Sequence, residues 1–133
     1  MSRSTTLLRI SFWVGAIADG LVALAMFSEM VFGHPSPLTH YAPGVPYRYA
    51  IGLAGSLMLG WTALLLWANR KPVERRGVLI LTCIVVMALM ITGLFGVSTG
   101  HVPMGTGVAV LVFQGFLIIL FTTSYVASVR QHS

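Results

Sequence analysis

The sequence predicts an all-α integral membrane protein, a single four-helix transmembrane domain over residues 1–133 with its helices in an antiparallel bundle. Three observations predict it. Of the 133 residues, 56% are hydrophobic and only 8% charged, whereas a soluble domain carries about 25% charged residues. Four apolar runs, about 7–32, 47–67, 77–97 and 105–128, each reach the roughly 20 residues that a helix needs to cross a ~30 Å hydrocarbon core. The connections are short, which makes consecutive helices antiparallel neighbours.

The first run contains Asp19 and Glu29, two of only three carboxylates in the chain. With Arg3 and Arg9 ahead of it and Ala23-Leu-Ala25 inside it, the run resembles a cleaved signal peptide. Its apolar stretch exceeds the usual ~7–15 residues and has an acid at its centre, so it is expected to stay as a helix. The second run stops at Lys71-Pro72, because proline offers no backbone donor. The third holds Cys83, the only cysteine. That rules out a disulfide within the chain and a CxxC redox pair, and leaves Cys83 a small buried apolar residue. Between the first two runs, His34–Pro46 is rich in proline and is expected to form a stiff extended cap.

Charge sets the expected orientation. Arg3, Arg9, Arg70, Lys71, Arg75, Arg76 and Arg130 fall on one side of the spans, and only Arg48 on the other. The positive-inside rule then puts both termini and the Asn69–Arg76 connection in the cytoplasm of a bacterial inner (cytoplasmic) membrane protein of multi-pass type. Trp13 and Trp67 mark the inner boundary, and Tyr47 and Tyr49 the outer one. The net charge of +5 does not signal nucleic acid, since the basic residues cluster at the ends of apolar runs rather than along one polar face.

Small residues mark where membrane helices touch, because association there relies on close packing. Gly52, Ser56 and Gly60 form a stripe in the second span. Gly15 shares the stripe of Asp19 with Ala23, and Gly20 lies beside it. These stripes are expected to face each other within a monomer in preference to a homo-oligomer. Gly107, Leu111 and Gly115 form a weaker stripe in the fourth span.

The polar groups at depth carry the functional expectations. Glu29 and Arg48 come to similar depth in an antiparallel hairpin, and a structural ion pair is expected there. Asp19 lies about 15 Å deeper by helical rise, beyond the reach of any basic residue. Its best partner is Gln114, whose amide can both donate and accept; Thr62 and Thr92 are the other polar groups near mid-depth. Asp19 and Gln114 thus make an intramembrane polar site, read either as a proton or cation site of a transporter or as an acid hydrogen-bonded for helix association. His34, His40 and His101, with Met104 and Glu29 nearby on the outer face, hold the ligand types for a metal or haem. They match no compact metal motif, and no cofactor is expected.

Gly15-Ala-Ile-Ala-Asp19, followed by Met-Phe-Ser28-Glu29, resembles the first helix of small multidrug-resistance transporters, which have four helices and an acid in the first that couples efflux to protons. The likeness covers about fifteen residues. Helices two to four lack that family's patterns, the outer connection is longer, and the charge bias departs from its near-symmetric insertion. Small bacterial four-helix proteins of the DoxX type are similar in size and topology without a shared motif, so no family is assigned.

No nucleophile–base pair, phosphate-binding loop or hydrolytic acid pair is visible, so an enzyme is not expected. The function read from the sequence is a non-catalytic binding or accessory module for a partner subunit, a lipid or a hydrophobic molecule. A proton-coupled transporter using Asp19 is the alternative, and a metal or haem protein using the outer histidines the second alternative.

Overall fold

The computed structural model describes residues 3–33 and 44–131. They form α1 (Arg3–Phe32), α2 (Val45–Asn69), α3 (Gly77–Ser98) and α4 (Met104–Gln131), each long and apolar enough to cross a membrane. The predicted runs lie inside these helices. The helices overrun them at polar flanks, α1 by a turn back to Arg3 and α4 on to Gln131. Backbone hydrogen bonding continues where hydropathy ends, so an apolar run understates a helix. Large apolar side chains point outward from every helix, among them Leu24, Leu57, Ile91 and Ile119. Such an exterior suits hydrocarbon and would be a liability in water.

The helices lie in the spatial order α2–α1–α4–α3, with α1 packed against α2 and α4, and α3 against α4. The N-terminus of α1, the α2–α3 connection and the C-terminus of α4 share one end, the basic end. The opposite end, where α1 meets α2 and α3 meets α4, is the cap end. The core lies toward the basic end, where Leu8 and Phe12 of α1, Leu65 of α2, Leu79 of α3 and Phe121 of α4 have no exposed surface. Side chains close the ring there: Trp61 Nε1 of α2 donates to Thr82 Oγ1 of α3 at 3.2 Å. Ser11 and Ser124 share a buried hydrogen bond of 2.7 Å across α1 and α4. Along α4 the inward positions are Gly107, Val110, Gln114, Leu117, Phe121, Ser124 and Ser128. This alternating spacing of three and four is the seam of an antiparallel bundle.

Three arginines close helix C-termini, whose last carbonyls lack partners inside the helix and carry partial negative charge. Arg48 Nε and Nη2 donate to Met30 O at 2.7 Å and Val31 O at 2.8 Å, ending α1. Arg75 Nη1 donates to Trp67 O at 2.6 Å, ending α2, and its guanidinium lies 3.4 Å above the Trp67 ring. Arg76 Nη1 reaches Ser128 O at 3.2 Å near the end of α4. At the end of α3 a glycine does this work. Gly100 has φ +74, which lets His101 N–H return to Gly96 O at 2.9 Å.

The packing stripes differ from the sequence expectation on α2. A Cβ on Gly15 would stand 3.1 Å from both Leu65 Cδ1 and Phe121 Cζ, and one on Gly52 would overlap Met30 Sδ. Gly20 is looser, 3.6 Å from Thr62 Cγ2. Gly55, not Ser56, continues the contact, facing Met26 at 3.2 Å. Ser56 is exposed and returns its hydroxyl to Gly52 O at 2.9 Å. A Cβ on Gly60 would meet nothing within 4 Å. The reason is geometric: each step of four advances about 40° around a helix of 3.6 residues per turn, so two steps carry Gly60 away from the face that holds Gly52. On α4, Gly107 is tight against Val97 and Leu111 lies beside Gly93, whereas Gly115 is open.

Candidate functional site

Register sets the level of Asp19 along the bundle. Gly15 faces Leu65 and Phe121, Gly20 faces Thr62, and Ser11 meets Ser124. Continuing these antiparallel pairings places Asp19 level with Thr62 on α2 and Leu117 on α4. Ala16 and Leu117 belong to the core, so Asp19 lies at its upper boundary, half-buried, with the packed core between it and the basic end. Gln114 lies one turn further toward the cap end, about 4.5 Å along the axis from Leu117 by helical rise. The two residues therefore share a zone, but among the described residues no hydrogen bond joins them. Gln114 Oε1 is buried and meets no donor.

Gln114 belongs to a second feature. Toward the cap end α3 and α4 bound a cleft of about 370 Å³ lined by Leu89, Thr92, Gly93, Phe95, Gly96, Thr99, His101, Val102, Val110 and Gln114. Its walls are mostly apolar. Polar groups gather at its two ends: Gln114 at the floor, and His101 Nδ1 with Thr99 Oγ1, 2.9 Å apart, at the mouth. Thr92 lies between them and donates its hydroxyl to Ala88 O at 3.0 Å. The wall has room at Gly93, where a Cβ would meet Leu111 at 3.9 Å, an ordinary contact. Sequence reasoning picked out Gln114, Thr92 and His101 separately and did not join them. The signal that joins them is the α4 seam, which carries Gln114 inward, combined with Gly93 and Gly96 on the facing stretch of α3.

At the cap end of α1 and α2, Glu29 and Arg48 come close together as expected but take other partners. Tyr47 Oη donates to Glu29 Oε1 at 3.1 Å, and Glu29 is buried. Arg48 directs its donors to the carbonyls that end α1. An unsatisfied helix terminus was invisible to the depth argument that paired the two charges. Beside Arg48 a second cleft, of about 280 Å³, is lined by Met30, Val45, Arg48 and Tyr49.

Of the three histidines, His34 and His40 lie outside the described residues, and His101 is exposed. Among the described residues no group of three histidine, cysteine or carboxylate side chains converges as a metal site would require. Cys83 is buried, 3.8 Å from Thr122 Oγ1.

Compared with known protein families, curated proteins and solved structures, the chain has no match in any of the three. The chemistry of the arrangement must therefore be read from its own residues. An apolar trough with a glutamine side chain in its lining and an imidazole–hydroxyl pair at its mouth can hold an apolar molecule by burial and orient it by one or two hydrogen bonds.

Proposed function

We propose that the protein is a non-catalytic, multi-pass membrane module that binds a hydrophobic molecule with a hydrogen-bonding group in the cleft between α3 and α4. The observation that carries this reading is the lining itself. Apolar walls and a volume of about 370 Å³ lie within the range of small-molecule sites. Gln114 lines the cleft and its buried Oε1 has no donor, so a turn of the amide toward the cleft would let a ligand hydroxyl or N–H relieve that penalty. The tally of seven basic residues against one supports an inner-membrane location with cytoplasmic termini, so the cleft would open toward the outer leaflet.

A photoreactive long-chain alcohol tests the reading. Labelling should concentrate on Phe95 and Val102 of the purified protein. Gly93→Phe, which fills the cleft at a position with ordinary spacing to Leu111, should abolish it without lowering thermal stability. Labelling spread evenly over all exposed apolar faces, and unchanged by Gly93→Phe, would remove the proposal.

A proton-coupled transporter remains the second reading, supported by one observation: Asp19 is a half-buried carboxylate at the boundary between core and cap half. The packed core beneath it weighs against a through-path. Proton-gradient-driven uptake in vesicles that is lost in Asp19→Asn would favour transport. Cleft binding that survives Asp19→Asn would favour the module.

A further inference from the structure

The guanidinium of Arg48 is held in a fixed position. Nε and Nη2 are held by Met30 O at 2.7 Å and Val31 O at 2.8 Å, which locks the plane of the group, and Nη1 has no partner among the described residues. Among the described residues its bonds go to carbonyl oxygens and not to a carboxylate. The chain has three acids, and Glu29, the one nearby, accepts from Tyr47, while Glu74 lies at the opposite end of the molecule, bonded to Lys71 at 3.1 Å. Gly33, with φ +66, lies beside the group: a Cβ there would stand 3.9 Å from Arg48 Nη1. Arg48 also belongs to the first turn of α2, whose Gly44 N-cap provides no side-chain cap, so the positive end of that helix dipole adds to its field.

The adjoining surface is apolar. The cleft of about 280 Å³ is bounded by Met30, Val45, Arg48 and Tyr49. Val45 and Tyr49 are 79% and 69% exposed, too open to belong to a core. A cation at the end of the apolar spans whose Nη1 meets no partner among the described residues, beside an exposed tyrosine and a mostly apolar cleft between the ends of α1 and α2, calls for one kind of occupant. A headgroup oxyanion would meet Nη1 near Val45, and its chain would lie against Met30 and Tyr49 and run on toward the exposed Leu53. A phosphate accepts from a guanidinium with strong, charge-assisted geometry.

We infer that Arg48, Met30, Val45 and Tyr49 form a binding site for the phosphate headgroup of an anionic membrane phospholipid. Phosphate is the chemistry recognised, and the lipid is its source here, because the surface beside the cation is exposed and apolar and a free ion would leave it uncovered. This site is separate from the α3–α4 cleft and depends only on the four helices crossing a membrane.

The test uses the full-length protein in nanodiscs containing photoreactive phosphatidylglycerol or photoreactive phosphatidylcholine, with labelled residues mapped by mass spectrometry. Labelling at Met30, Val45 and Tyr49 should favour the anionic lipid at least five-fold. Arg48→Gln should erase that preference. Because Arg48 also closes α1, a second variant keeps the test independent of folding: Tyr49→Glu leaves the carbonyl bonds intact, sets a negative charge in the trough and should erase the preference with an unchanged melting temperature. Labelling near Arg70 and Arg76 at the basic end should stay as in the wild type in both variants. Equal labelling by the two lipids in the wild type, or a preference that survives Tyr49→Glu, would overturn the inference. So would displacement of the lipid by millimolar inorganic phosphate, which would make the free ion the ligand.

Discussion

The two halves of the molecule are built on different principles. In the basic half, four helices converge on side chains with no exposed surface, Phe12, Leu65, Leu79 and Phe121, and pairs such as Ser11–Ser124 and Trp61–Thr82 bond across them. In the cap half, the same helices stand as two hairpins. One is tight at Gly52 and Gly55 and the other at Gly96 and Gly107, each with a cleft at its side. Packing serves cohesion in one half and access in the other. Asp19 and Gln114 mark the seam between them, which is why, among the described residues, neither finds the partner that a uniformly packed bundle would supply.

The contrast breaks most visibly at the aromatics. Phe121→Ala should destabilise by about 3–5 kcal/mol, the usual range for emptying a buried phenylalanine site, because Phe121 is fully buried against Gly15. Phe95→Ala in the cap half should change stability by less than about 0.5 kcal/mol, since Phe95 is 68% exposed. Unfolding followed by circular dichroism in mixed micelles measures both. Comparable losses would mean that the cap half is packed as tightly as the basic half.

Glycine substitutions sharpen the comparison at a smaller scale. Gly15→Ala adds a methyl 3.1 Å from two core side chains and should cost about 1–3 kcal/mol, as overpacking does. Gly60→Ala, with nothing within 4 Å, should be neutral or stabilising by up to about 1 kcal/mol through higher helix propensity. The same thermal assay decides. A loss at Gly60 as large as at Gly15 would restore the stripe of Gly52, Ser56 and Gly60 as a contact, between copies of the chain.

These pairs also show what the sequence could carry. Helix number and extent were legible because hydropathy over twenty residues is a strong signal, and Gly15 and Gly52 were legible because close approach demands their small size. Gly60 and Ser56 misled because spacing by four looks continuous in a sequence but rotates on a helix. Tyr47 as the partner of Glu29, and Arg48 as the cap of α1, were not legible. Depth alone pairs opposite charges, whereas the fold also has bare carbonyls to satisfy. The cleft of Gln114, Thr92 and His101 needed the relative placement of α3 and α4, which no single run encodes.

The buried serine pair provides a finer probe of the basic half. Ser11 and Ser124 are both fully buried, and their hydroxyls lie 2.7 Å apart. Either single alanine leaves the other hydroxyl seeking a donor or acceptor in an apolar interface, while the double variant removes both polar groups at once. A double-mutant cycle of Ser11→Ala and Ser124→Ala should therefore give a coupling of about 0.6 kcal/mol, the average for hydrogen bonds between membrane helices, and no more than about 1.7 kcal/mol. A coupling of zero would mean that each hydroxyl finds a carbonyl of its own helix when its mate is lost. The seam would then be held by shape at Gly15, Phe121 and Leu65, with the serines present because they are small. At the surface of the same end, Lys71 and Glu74 are mostly exposed at 3.1 Å, and breaking that pair should shift stability by less than about 0.5 kcal/mol. The serine coupling should exceed it even though the serines carry no charge, because burial, and not charge, decides what a polar contact contributes in this half.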